Sequence, residues 1–317
     1  MATLTLDQKT LPTVPVDASE AFLEALIDLF KVKIRNDNTR YAYKHALERF
    51  TSWATRQQIA FEDVRAGDIA DYIDEIGQTY AVTTVKQHLA ILRRFFAHLE
   101  MAGVMDINPA ASVPSPKFKR HTGATPYLTI KQVRKLLKSI NRDTKKGRRN
   151  YAVLLTFLYT GCRVSALANL KASDFYAVGD TFYLKFHEKN SLVFDQICHP
   201  LLIEALKVYI EAEAITGDQP LFQTLNTHEK GASEALTGKA MDRISLYKLI
   251  KRLATKAGFD KISPHSLRVS CANSLFASEA SVETVQKLLQ HRSSETTKLY
   301  IRESSNVTQE DILKISY

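Results

Sequence analysis

The chain has 317 residues, of which 45% are hydrophobic and 24% are charged, a composition typical of a folded protein long enough for two domains. Lys and Arg outnumber Asp and Glu by 43 to 34, and the resulting net charge of +9 favours a polyanionic partner, nucleic acid first. The three cysteines are far apart, which argues against a disulfide framework or a thiolate zinc site and fits a reducing compartment.

Three classes of protein are disfavoured because their sequence signatures are missing. The N-terminal residues lack the basic segment and apolar run of a signal peptide. No stretch approaches the run of about 18 apolar residues that a transmembrane helix needs. None of the 11 glycines forms a GxGxxG or GxxxxGK[ST] nucleotide-binding loop. We therefore expect a cytoplasmic protein that binds neither a membrane nor a nucleotide.

Residues 19–111 carry the apolar periodicity of a compact helical domain, which follows a proline-bearing flexible arm over residues 1–18. Apolar side chains recur every three or four residues along four segments, and this predicts four helices with short connections. The predicted core contains Phe22, Leu26, Ile27, Phe30, Tyr43, Ala46, Leu47, Phe50, Trp53, Val85, Leu89, Leu92, Phe96 and Leu99.

A linker between two domains is predicted over residues 112–127, because Pro114, Pro116 and Pro126 rule out a continuous helix. The linker is also basic, and its cationic residues are Lys117, Lys119 and Arg120.

Residues 128–303 are predicted to form a second domain that is mostly helical. Thr129 and Gln132 have the spacing of a capping box at its first helix, and the apolar helix YAVLLTFLYTG is predicted to end at Gly161. The alternating runs TFYLKF and SLVFDQICHPL predict a β-hairpin or small sheet at about 181–198. Further helices are predicted at 199–215, 245–257, 265–278, 281–290 and 294–300.

Five residues of the second domain stand out for their chemistry, although each residue type alone is more often structural. Arg163 directly follows the end of a buried helix. His265 and Arg268 are three residues apart on one helical face, so both can donate to one anionic oxygen. His291 follows a helix end, and Tyr300 lies nine residues later.

These five residues occur in a specific order on a basic helical protein, and the sequence resembles the tyrosine recombinase (phage integrase) family over nearly its whole length. The matching segments are LLTFLYTGCRVSALANLKASDF, SPHSLRVSCANSLF and VETVQKLLQHRSSETTKLYIR. The resemblance implies a mainly α fold with a small β-sheet, in which an N-terminal helical bundle and a C-terminal catalytic domain form a C-shaped clamp around duplex DNA. It favours the simple two-domain Xer and Cre type.

The resemblance also implies a reaction without a metal or nucleotide cofactor. Tyr300 attacks the scissile phosphate and leaves a 3′-phosphotyrosyl link and a free 5′-hydroxyl. Arg163 and Arg268 hold the non-bridging oxygens, on which charge builds in the transition state. His265 assists proton transfer near the nucleophile, and His291 donates a hydrogen bond to the phosphate.

The family also uses a lysine on a β-hairpin loop to protonate the departing 5′-oxygen. Lys189 fits this position best, since it lies between the two predicted strands in FHEKNSLVF. Lys185 is the alternative, and it is expected on the opposite face of its strand from Leu184 and Phe186.

Three positions depart from the family's usual pattern. Ala166 stands where the family usually has Glu or Asp, so another group must support Arg163. Val269 replaces a frequent His or Lys, and Gln290 replaces the glycine of the common LLGH sequence. None of the three substitutions removes a residue that contacts phosphate in this scheme.

The expected partner is double-stranded DNA with inverted-repeat half-sites, so the protein is also expected to associate with the nucleoid. Candidate DNA-binding residues are Lys86, Arg93 and Arg94, which lie off the apolar stripe of the fourth helix, and the linker residues Lys117, Lys119 and Arg120. A second basic run contains Lys145, Lys146, Arg148 and Arg149. This run either contacts the DNA backbone or forms a solvated charged loop.

The family recombines as a homotetramer, with a dimer on each of two sites, through a Holliday junction. In the family, the C-terminal segment docks on a neighbouring protomer, and we expect the same of the tail over residues 304–317. The sequence leaves open whether accessory proteins or a partner recombinase are needed. The alternative functions are a type IB topoisomerase-like enzyme that only relaxes DNA, and a DNA-binding protein without activity.

Overall fold

The computed structural model describes residues 11–12, 19–117, 125–188, 192–226, 235–290 and 297. The chain divides into two units, Met1–Lys119 and Arg120–Tyr317. The described part is mostly helical and carries two small antiparallel sheets, in agreement with the predicted fold class. Among the described helices, none has both the length and the apolar character that crossing a bilayer requires.

The first unit is built from the four helices that the apolar spacing predicts. Side-chain oxygens cap the N-termini of two of these helices. Ser19 accepts a hydrogen bond from the Phe22 N–H, and Asn36 accepts one from the Thr39 N–H. The first helix continues into a π-helical turn over Leu29–Lys33. The helices are α1 (Glu20–Asp28), α2 (Asp37–Arg56), α3 (Ala66–Thr79) and α4 (Val82–Met101).

Aromatic rings dominate the core of the first unit. The fully buried Phe50 ring lies 5.1 Å from the Tyr72 ring and 5.9 Å from the Trp53 ring. Every predicted core residue of this unit is buried, except Ile27, which is half-buried. The Tyr72 hydroxyl lies 2.8 Å from Nδ1 of the buried His88. Burial raises the pKa of Tyr72 and lowers the pKa of His88.

The second unit packs its helices around a separate core. Thr129 and Gln132 form the predicted capping box at the first of these helices. The helices are α5 (Ile130–Lys138), α6 (Lys145–Thr160), α7 (Val164–Ala168), α8 (Pro200–Ala212), α9 (Arg243–Lys256), α10 (Pro264–Phe276) and α11 (Val282–Leu289).

Two antiparallel sheets complete the second unit. The larger has the order β1-β2-β3, with Lys185 opposite Asp195 and His187 opposite Val193. Leu184 and Phe186 are fully buried on its inner face. The strands are β1 (Phe175–Val178), β2 (Thr181–His187) and β3 (Val193–Ile197), with β4 (Gln223–Leu225) paired to β5 (Leu236–Ala240).

Helix α6 crosses the core of the second unit and ends just before the candidate site. Its residues 152–155 are fully buried. Gly161 terminates it with a φ of 57°, in the left-handed region that favours glycine. A Cβ at Gly161 would lie 2.5 Å from Cδ2 of Leu289, so the close approach of α11 also requires glycine. The chain therefore turns sharply into Arg163.

The predicted hairpin at 181–198 is confirmed as β2 and β3, whereas β1, the β4–β5 pair and α7 were not predicted. Strands of three to five residues and a helix of five residues are too short to show a periodic pattern. Of the helix predicted at 294–300, only Thr297 lies within the described residues, and it is helical.

Candidate active site

Arg163 lies at the junction between α6 and α7, where its backbone is extended. Its side chain is 41% exposed. Nη1 donates to Oε2 of Glu188 in an ion pair, and Nη2 donates to the carbonyl of Gln290 at 3.3 Å. The guanidinium is therefore held by these two contacts, while the rest of the side chain remains accessible to solvent.

Arg268 lies on α10 and is only 5% exposed. Nη1 donates to the carbonyl of Gly161, and Nη2 donates to the carbonyl of Leu289. These carbonyls belong to the C-terminal ends of α6 and α11, where helical carbonyls lack partners within their own helix. The buried guanidinium therefore joins two helix ends.

The two arginines converge although they are far apart in the sequence. Arg268 donates to Leu289 and Arg163 to Gln290, which are consecutive residues. Both guanidinium groups thus face the segment that leads into position 291. Two planar, permanently charged donors at one point suit a phosphate.

His265 lies in the first turn of α10, where Pro264 and the capping residue Ser263 begin the helix. It is exposed, and it precedes Arg268 by three residues, so the two side chains share one side of the helix. The predicted site residues Lys189, His291 and Tyr300 lie outside the described residues.

The hairpin of β2 and β3 brings Glu188 to Arg163. The Glu188 N–H donates to the Leu192 carbonyl at 2.8 Å and closes the hairpin. Next to it, Nε2 of His187 lies 3.1 Å from Oδ1 of the buried Asp174. Sequence reasoning missed Glu188, because nothing local marks a contact across 25 residues. The absence of a carboxylate at position 166 was the one available signal.

The alternative lysine, Lys185, points away from the buried inner face of the sheet. Its Nζ lies 5.2 Å from the centre of the Tyr176 ring. Its strand neighbours Leu184 and Phe186 are buried, as the alternation predicts.

Cysteine chemistry is disfavoured around the two arginines. Burial raises the pKa of both Cys162 and Cys271 to about 12, although Arg268 acts in the opposite direction on each. Both thiols therefore stay protonated and are poor nucleophiles. Within the described ranges, no three His, Cys, Asp or Glu side chains are grouped to hold a metal ion.

The DNA-binding candidates differ in their surroundings. Lys86 and Arg94 are exposed on α4, and Lys117 is exposed in the linker. Arg93 instead donates to the carbonyls of Ala110 and Val113 and to the Ser115 hydroxyl, so it holds the start of the predicted linker against α4. Lys119 and Arg120 lie outside the described residues.

The second basic run is engaged within the protein. Arg148 pairs with the buried carboxylate of Glu213 at 2.8 Å, and Lys145 lies 3.6 Å from the same carboxylate. Arg149 is buried and donates to the Gln223 carbonyl at 2.8 Å. These contacts favour a structural role over a DNA-backbone contact.

Comparison with protein families gives two matches. Residues 126–306 match the phage integrase family, and residues 21–103 match the phage integrase N-terminal SAM-like domain. The two matches fall on the second and the first unit, respectively.

Individual relatives span most of the chain. The tyrosine recombinase XerC of Roseiflexus sp. (strain RS-1) is 30% identical, covering 90% of this chain and 88% of that protein. XerC of Staphylococcus aureus (strain JH9) is 28% identical, covering 89% of this chain and 92% of that protein.

Solved structures share the fold. A lambda integrase (75–356) dimer bound to a COC′ core site matches with a TM-score of 0.68 and 16% identity, covering 91% of this chain and 96% of that chain. The XerH recombinase bound to its difH substrate matches with a TM-score of 0.64 and 20% identity, covering 88% of this chain and 85% of that chain.

Proposed function

The chain belongs to the phage integrase family and is a site-specific tyrosine recombinase, and we propose that it cuts and rejoins double-stranded DNA through Tyr300. The Tyr300 oxygen attacks the scissile phosphorus, the bond to the 5′-oxygen breaks, and a 3′-phosphotyrosyl link forms. Attack by a 5′-hydroxyl on this link reverses the step and releases the tyrosine.

The observation that carries this proposal is the convergence of Arg163 and Arg268 on the consecutive carbonyls of Leu289 and Gln290. Negative charge builds on the non-bridging oxygens as five-coordinate phosphorus forms, and fixed guanidinium groups stabilise it. Loss of one such donor typically costs about 10²–10³ in rate.

Cleavage requires two proton transfers: the Tyr300 hydroxyl loses a proton, and the departing 5′-oxygen gains one. In the proposed scheme, Lys189 protonates the departing 5′-oxygen, since an unprotonated alkoxide is a poor leaving group. His265 assists removal of the Tyr300 proton, and His291 donates to the phosphate. Lys189 is favoured over Lys185, because it immediately follows Glu188, whose carboxylate contacts Arg163, whereas Lys185 packs near the Tyr176 ring.

The proposal also assigns DNA binding and catalysis to different parts of the chain. Residues 19–111 bind DNA and residues 128–303 catalyse the reaction, joined by the linker 112–127. The exposed cations Lys86, Arg94 and Lys117 support the first role. Arg93 acts at least in part by holding the linker to α4.

We further propose that recombination occurs in a homotetramer, with a dimer on each of two inverted-repeat sites. A lambda integrase tetramer bound to a Holliday junction shares the fold of this chain, with a TM-score of 0.67 and 17% identity. The tail over residues 304–317 would then dock on a neighbouring protomer.

A covalent trapping assay tests the reaction directly. The purified protein and Tyr300→Phe are incubated with nicked duplex fragments of the DNA that flanks the gene. We expect the wild type to form a complex that survives SDS but not protease, and Tyr300→Phe to form none while its DNA affinity stays within about threefold.

Other outcomes of this assay are equally informative. An adduct that persists in Tyr300→Phe would assign the nucleophile to another residue. Loss of DNA binding in this variant would make the role of Tyr300 structural. If neither protein forms an adduct with DNA selected from randomised sequences for tight binding, the proposed function is wrong.

A further inference from the structure

The carboxylate that contacts Arg163 comes from an unexpected part of the chain. Position 166, where the family usually has Glu or Asp, is a buried alanine here. The hairpin residue Glu188 supplies a carboxylate to Arg163 instead. We propose that Glu188 is the positioning residue that orients the Arg163 guanidinium toward the scissile phosphate, an inference that rests on the proposed recombinase function.

The surroundings of the two side chains favour a fixed pair over a loose surface contact. The Glu188 side chain is only 10% exposed, whereas that of Arg163 is 41% exposed. A shielded carboxylate is costly without a cation, so Glu188 keeps Arg163 close. The more exposed guanidinium remains open to a ligand. A surface pair between two solvated side chains would contribute little orientation.

The backbone of Glu188 is itself anchored. Its N–H donates to the Leu192 carbonyl, and its neighbour His187 pairs with Val193 across the hairpin. The side chain of His187 contacts the buried Asp174. The carboxylate is therefore presented from the paired strand ends of the hairpin, whereas Arg163 lies at a junction between two helices.

The contacts of Arg163 leave donors for phosphate. A guanidinium has five N–H groups. Glu188 accepts from Nη1 and the Gln290 carbonyl accepts from Nη2, which occupies one hydrogen on each nitrogen. Two fixed contacts define the plane of the group, and the remaining hydrogens can meet phosphate oxygens without reorientation. Glu188 therefore orients Arg163 and does not block it.

The first test compares Glu188→Gln with wild type in single-turnover cleavage of the trapping substrate. The amide keeps the size of the side chain but removes its charge. We expect the cleavage rate to fall at least tenfold, with DNA affinity within threefold and an unchanged melting temperature. Asp180→Asn is the matched control, because it removes an exposed carboxylate from the turn between β1 and β2 of the same sheet, and it should cleave at the wild-type rate.

Modified phosphates separate orientation of Arg163 from a general effect on the hairpin. A scissile methylphosphonate lacks one anionic oxygen, so cleavage depends less on an arginine. We expect the defect of Glu188→Gln to shrink on this substrate. A 5′-bridging phosphorothiolate has a leaving group that needs no proton. The defect should persist on it, because Glu188 acts through Arg163 and not through Lys189. Glu188→Asp should retain intermediate activity on the unmodified phosphate.

Three results would overturn this inference while leaving the recombinase function intact. Glu188→Gln could cleave as fast as wild type, which would mean that the charge is not needed to orient Arg163, or faster, which would mean that the carboxylate competes with phosphate. The phosphorothiolate could restore its rate, which would assign the effect to the general acid. The methylphosphonate could leave the defect unchanged, which would point to a general hairpin effect. A wild-type protein that forms no adduct, even with DNA selected from randomised sequences for tight binding, would instead reject the proposed function.

Discussion

Arg163 and Arg268 carry the same charge but are held in different ways. Arg268 is buried and donates to the carbonyls of Gly161 and Leu289. Arg163 is partly exposed and contacts one carboxylate and one carbonyl. Stability should therefore depend mainly on Arg268, whereas cleavage should depend on both.

Alanine substitutions test this difference. Arg268→Ala leaves two buried carbonyls without their donor and should reduce the free energy of unfolding by about 2–4 kcal/mol. Arg163→Ala should cost less, about 1–2 kcal/mol, because removal of this partly exposed side chain opens the shielded Glu188 carboxylate to water. Urea denaturation followed by circular dichroism measures both values.

A conservative variant provides the control. Arg268→Lys keeps the charge but cannot donate to both carbonyls in one plane. It should lose nearly as much stability as Arg268→Ala. Equal losses for Arg163→Ala and Arg268→Ala would contradict the structural role assigned to the buried guanidinium.

At the scale of elements, the end of α11 has a backbone conformation that favours glycine at position 290. Gln290 terminates this helix with a φ of 51°, in the left-handed region. A residue with a Cβ is strained there by about 1–2 kcal/mol, whereas glycine is not. The departure from the family pattern therefore costs stability at the segment that both arginines contact.

Gln290→Gly should relieve that strain. Glycine has the larger conformational entropy in the unfolded chain, which offsets part of this relief, and we therefore expect a net gain of about 0.5–1 kcal/mol in the free energy of unfolding. Thermal and urea denaturation measure it. Gln290→Ala is the matched control, since it also removes the side-chain bond to the Lys287 carbonyl but keeps a Cβ. A gain as large in the alanine variant would refute strain as the cause.

The elements that the sequence predicts are those with long periodic patterns. The apolar stripes of α2 and α4 span 20 residues each, and their buried residues agree with the spacing. The alternation in β2 correctly separates Lys185 from Leu184 and Phe186. The contact of Glu188 with Arg163 depends on how the hairpin packs against the α6–α7 junction, and no local pattern encodes that packing. The positions of Lys189, His291 and Tyr300 remain predictions.

At the scale of the whole molecule, each of the two units has its own core, and the chain's single tryptophan, Trp53, is buried in the first. His88 belongs to the same unit and forms a hydrogen bond with the Tyr72 hydroxyl. Trp53 fluorescence therefore reports on the unit in which His88 is buried.

This arrangement predicts a pH dependence of the first unit. Burial lowers the pKa of His88 below its ordinary value of 6.5. The unfolded chain therefore binds a proton more readily than the folded chain as the pH falls through that value. The stability of the first unit should be full above about pH 6.5 and should decrease below it.

Urea denaturation followed by Trp53 fluorescence at pH 7.5 and pH 5.5 measures this effect. The decrease in unfolding free energy should be larger for wild type than for His88→Gln, which does not titrate. An identical decrease in the two proteins would show that other groups cause the pH dependence.

The burial of Arg268 has a consequence for how DNA is bound. An arginine side chain has about 2 kcal/mol of rotamer entropy to lose when it becomes fixed. Since Gly161 and Leu289 already hold this guanidinium, the loss occurs when the chain folds and not when phosphate arrives. Exposed cations such as Lys86 would lose their freedom during the proposed association with DNA instead. Arg268 is therefore preorganised, and in the proposed reaction the scissile phosphate would meet a group that need not move.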